Sequence, residues 1–171
     1  NTCLFISTEN VNSFSFSGPE QYNDKLTLIR FGSSFKEIKE NEFTIDVTQQ
    51  GEFDRLLEQL AAQNSFPETI CYYSAHNLIL KAEDDPDQYG MLIQLELERI
   101  FLLLKALNKK INRRMVFLFG YQSNQLGMEQ SYNSVLALLK TAHLENPLLD
   151  FGCIALSSNE ANPIETLLNE A

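Results

Sequence analysis

The sequence predicts an α/β fold, an open and mostly parallel β-sheet with helices packed on both faces in three layers. Three observations point there. Apolar, β-favouring runs of about six residues recur along the chain; amphipathic helical segments separate them; and glycine or proline closes several of these segments. The unit from Arg113 to Leu156 shows all three. Met115-Val116-Phe117-Leu118-Phe119-Gly120 is an apolar run that stops at a glycine and reads as a strand buried on both faces. From Glu129 the apolar residues Val135, Leu136, Leu138, Leu139 and Ala142 recur at helical spacing until Glu145-Asn146-Pro147, where proline forbids continuation. Phe151-Gly152-Cys153-Ile154-Ala155-Leu156 is a second apolar run. Strand, helix, strand predicts a right-handed crossover between parallel strands.

Taken in order, Thr2 to Ile6 forms the first strand. A helix should follow in such a fold, but Ser7 to Asp24 is rich in Ser and Asn with Gly18-Pro19 in its second half, so the first crossover is degenerate, with at most a turn of helix over Pro19 to Tyr22. Leu26 to Phe31 is a second strand closed by Gly32; Phe35 to Glu40 reads as a brief polar turn; Phe43 to Val47 is a third strand beside the second. Gln49 to Gln63 is an amphipathic helix with Phe53, Leu56, Leu57, Leu60 and Ala61 on one stripe. Thr69 to Tyr73 is the fourth strand. The loop His76 to Pro86 leads to the longest helix, Asp87 to Asn108, whose apolar residues exceed one stripe and predict heavy burial against the sheet. Pro163 to Asn169 is a short closing helix. This order is that of a Rossmann-like sheet, with the first strand expected near the centre.

Composition narrows the function classes. At 171 residues the chain reads as one domain over 1–171. Thirteen basic against 23 acidic residues leave a net charge of −10, which repels nucleic acid, anionic membrane and an acidic carrier protein. Cys3, Cys71 and Cys153 fall inside strands among apolar neighbours; their odd count argues against a disulfide framework and for inert thiols, although one pair can meet in space. The sequence has no arginine-rich, apolar or A-x-A-like leader, and charges interrupt its longest apolar helix. A cytoplasmic protein with no membrane span is expected.

The chemistry a dinucleotide site needs is missing. Glycines after the first strand let the backbone approach a pyrophosphate at a helix N-terminus. Here the corresponding residues are Ser7-Thr8-Glu9-Asn10-Val11-Asn12, with no glycine before Gly18 and no G-x-G-x-x-G anywhere. Glu9 would repel a phosphate. His76 and His143 have no carboxylate or cysteine at metal-ligand spacing and read as a loop and a helix-end histidine. Ser123 lacks a G-x-S-x-G elbow. Tyr132 and Lys140 are eight residues apart, whereas a reductase pair needs four, so that both reach one helix face. Glu83-Asp84-Asp85 reads as a solvated cluster at a helix start. No catalytic, cofactor-binding or metal residue is assigned.

Two local signatures carry a resemblance. Leu136 to Pro147, ending Glu145-Asn146-Pro147 before a strand, is similar to the close of the penultimate helix in the structural subdomain of modular polyketide synthase ketoreductases, where the helix ends in Glu-Asn-Pro or Glu-His-Pro. The Asn form looks most like systems served by free-standing acyltransferases. Phe31-Gly32, Phe35, Phe43-Thr44-Ile45-Asp46 and Phe53 with Leu56-Leu57 resemble another segment of the same subdomain. The resemblance implies a non-catalytic N-terminal half that binds no cofactor itself. It would support a companion catalytic half, which binds NADPH and reduces a β-ketoacyl group held on an acyl carrier protein. Two other readings remain open on the residues alone: a docking domain within a synthase, and a free-standing enzyme with a ligand at the strand ends near Ser7, Ser74, Tyr121 and Ser157.

Overall fold

A computed structural model describes residues 2–8, 26–49, 51–74, 86–122, 128–157 and 163–170. In chain order these form β1 (Cys3–Ser7), β2 (Leu26–Phe31), β3 (Lys36–Lys39), β4 (Glu42–Ile45), α1 (Glu52–Ala62), β5 (Thr69–Ser74), α2 (Pro86–Asn108), β6 (Met115–Gln122), α3 (Met128–Glu145), β7 (Leu149–Leu156) and α4 (Pro163–Asn169). The strands make one open sheet in the order β3-β4-β2-β1-β5-β6-β7. Its central strand is β1, as expected. All neighbours are parallel except β3 with β4. The direction of winding reverses between β1 and β5, which makes that junction the topological switch point.

Alternation along the strands divides the core. Leu4, Ile6, Ile70, Tyr72, Phe117 and Phe119 face one side, and there α1, α2 and α3 add Phe53, Leu56, Leu57, Ile100, Leu103, Val135 and Leu139. Cys3, Phe5, Cys71, Tyr73 and Leu118 face the other, where α4 contributes Leu167 and Leu168. Helices thus lie on both faces, but unequally: among the described residues, α4 is the one helix on the second face. Each large apolar side chain so buried contributes about 1.5–3 kcal/mol.

Three expectations need correction. The polar turn Phe35 to Glu40 contains β3, a short antiparallel edge strand that has no buried face and so no apolar alternation to betray it. Asn41, at φ 58°, turns the chain back into β4. The hairpin is held by side chains instead: the buried Glu42 carboxylate bridges Arg30 and Lys39, both at 2.8 Å, while the Arg55 guanidinium lies 4.2 Å over the Phe35 ring. Ala61 is exposed rather than on the buried stripe of α1. Finally, α2 is not heavily buried all round. Ile100, Leu103, Leu104, Ala106 and Leu107 are in the core, yet Met91 is 71% and Phe101 52% exposed. A single sheet face can cover only one stripe of a helix. The start of α1 is set by Gly51, whose φ of 99° only glycine adopts without strain, and by Glu52, whose Oε2 accepts the Asp46 N–H at 2.6 Å. The proposed turn at Pro19 to Tyr22 lies outside the described residues.

The second face is packed tightly where α4 crosses β6. A Cβ added at Gly120 would lie 2.5 Å from Leu167 Cδ1 and 2.7 Å from Cδ2, and Leu167 is fully buried. Gly120→Ala is therefore expected to cost about 1–3 kcal/mol. In urea denaturation the double variant with Leu167→Ala should lose clearly less than the sum of the two single variants, because the methyl fills part of the space that leucine vacates.

Candidate functional site

An α/β sheet offers its ligand crevice at the carboxyl ends of the strands flanking the switch point. Here the last residues of those strands are buried. Ser7 at the end of β1 is 2% exposed and Ser74 at the end of β5 is 1% exposed, and the Thr8 N–H donates to the Tyr73 carbonyl at 3.3 Å, tying the two strands together. Beneath them Tyr72 is fully buried among Phe31, Phe117 and Phe119, at ring-centroid distances of 6.4, 6.2 and 6.0 Å. From α2, the Arg99 guanidinium lies 4.8 Å over the Phe31 ring and pairs with the buried Glu96 carboxylate at 3.5 Å. Aromatic packing and one internal ion pair occupy this side of the junction.

Burial, and next the Glu96 carboxylate, push the Tyr72 hydroxyl well above its ordinary pKa of 10. The folded protein thus holds this proton where the unfolded chain has released it. Its contribution to stability is complete below pH 10 and declines as pH rises above that value. Tyr72→Phe should flatten this alkaline loss of stability, measured as the unfolding midpoint in urea between pH 8 and 11.

The residues singled out in the sequence do not converge. His143, half-buried near the end of α3, has Nδ1 2.8 Å from the Leu149 carbonyl oxygen and 3.8 Å from an Asp150 carboxylate oxygen, so it joins α3 to β7. Tyr132 is buried against Tyr121 and Phe119, with centroids 4.3 and 5.4 Å away, while Lys140 is exposed. They therefore do not form a reductase pair. Tyr121 is half-buried in the same aromatic group, and Ser157 is exposed past β7. Glu9 to Asn12, His76, Glu83 to Asp85 and Ser123 lie outside the described residues. Among the described residues, no cluster of three His, Cys, Asp or Glu side chains could hold a metal ion. Cys3 and Cys71 do meet, with sulfurs 3.8 Å apart as free thiols under α4. Contact with Cys3 and burial keep the Cys71 thiol protonated. Cys153 is only half-buried, against expectation, yet desolvation still raises its pKa to about 11. Thiols so raised are poor nucleophiles at neutral pH.

What the sequence reading did not find is a groove between α2 and α3. It has a volume of about 420 Å³, with Phe101, Leu104, Leu138 and Ala142 forming its apolar walls and Lys105 and Glu145 among its polar residues. The surplus of apolar residues on α2, more than one stripe can bury, was the available signal. At one end of the groove the Glu-Asn-Pro motif has a mechanical role. The Asn146 Nδ2 donates to Asn108 Oδ1 at 2.9 Å, linking the ends of the two helices, and its Oδ1 accepts the Leu148 N–H at 3.2 Å to turn the chain into β7. Asn146→Ala should lower stability by about 1–2 kcal/mol through both lost bonds. Asn108→Ala, which removes only the link between helices, should cost less in the same thermal or urea melts.

The comparisons with known proteins fit this architecture. Over 91% of its length the chain superposes on an N-terminal ketoreductase from the macrolactin assembly line, with a TM-score of 0.70 and 23% identity, spanning 32% of that chain. A keto acid-selecting nonribosomal peptide synthetase module with adenylation, ketoreductase and pseudo-Asub domains gives a TM-score of 0.70 at 12% identity, covering 99% of this chain and 15% of that one. A short-chain dehydrogenase from Leptospira borgpetersenii, solved with bound NAD+, gives 0.60 at 15% identity over 98% of this chain and 76% of that one. At these identities the likeness establishes a shared fold. The chain thus spans about a third or less of the first two of these structures. No curated protein sequence matches it. Among the described residues no helix is long and apolar enough to cross a membrane. Residues 1–170 match the family described as "Beta-ketoacyl synthase-like, N-terminal", and the chain belongs to that family.

Proposed function

We propose that this chain is a non-catalytic structural subdomain, a single domain over residues 1–171, that supports the NADPH-dependent β-ketoacyl reductase half of a polyketide synthase module. The observation that carries the reading is the α2–α3 groove, whose wall includes the half-exposed Phe101, on a long helix that also exposes Met91. Large exposed side chains next to an apolar groove suit burial against a partner surface. Covering the half of Phe101 that is still exposed contributes about 1 kcal/mol to the joint stability of the two halves. The buried last residues of β1 and β5 and the missing glycines both speak for a half that leaves the cofactor to its companion.

In this reading α3 and α2 form a rigid platform. The companion half binds NADPH and carries the reacting groups, and an acyl carrier protein presents the β-ketoacyl substrate to that half. The net charge of −10 disfavours contact between this chain and an acidic carrier. The working compartment is the cytoplasm.

The test uses this chain alone and the two-half ketoreductase that contains it. NADPH titrated calorimetrically should bind only the two-half protein. Phe101→Glu should lower the melting temperature of the two-half protein by clearly more than that of the chain alone, because about half of the side chain is exposed there. The KM for NADPH should not change, since no cofactor contact is removed. Saturable NADPH binding by the chain alone, or an unchanged melting temperature of the two-half variant, would overturn the proposal.

A further inference from the structure

We draw no further inference here: the strongest candidate, the pair of free thiols Cys3 and Cys71 with sulfurs 3.8 Å apart beneath α4, is fully buried and joined by no third His, Cys, Asp or Glu among the described residues, so nothing in the structure points to a metal, an oxidant or any other ligand for it.

Discussion

Everything in this fold depends on β1 being enclosed on all four sides. Its five residues are all buried, its edges are hydrogen-bonded to β2 and β5, and its side chains alternate between the two cores. A strand so placed tolerates little but apolar residues and backbone pairing, because each unsatisfied polar group there costs about 1–3 kcal/mol. The enclosure also determines what its carboxyl end can do. In a nucleotide-binding sheet that end opens into a glycine-rich turn beneath a phosphate. In this chain it runs through a buried serine into a backbone bond with β5, over a tyrosine packed among three phenylalanines.

The unequal layers follow from the same centre. Strands to one side of β1 are joined by a hairpin where a helix would stand, with β3 in its place. The crossovers to the other side keep full helices, and these share one face. That face therefore carries the groove, the exposed Phe101 and Met91, and the Asn146 clamp that joins α3 to α2. The surface ion pairs Lys109–Asp54 and Lys110–Glu58 knit the end of α2 to α1. Being partly exposed to solvent, they matter less to stability than the apolar stripe beneath them. A sheet of the kind also found in dehydrogenases can in this way carry an apolar groove on its helical face while the ends of its central strands are buried.

Much was legible in the residues because it rests on short-range pattern. The both-face burial of β6, the stripe of α1, the stop at Pro147 and the central place of β1 each follow from periodicity or from backbone sterics, which neighbouring residues impose on one another. Three features escaped that logic. β3 has no buried face, so its residues look like a turn until β4 pairs with them. Met91 and Phe101 read as core in a helix crowded with apolar residues, and only the width of the sheet face decides which stripe is covered. The groove is formed by residues about 40 positions apart in sequence, such as Phe101 and Leu138, and no local pattern encodes that meeting. The sequence by itself determined the element types, the α/β class and the lack of a phosphate-binding glycine motif, because these are properties of adjacent residues. Only the tertiary structure decided which apolar side chains stay in water and where the groove between α2 and α3 forms, because exposure depends on what the rest of the chain can reach to cover.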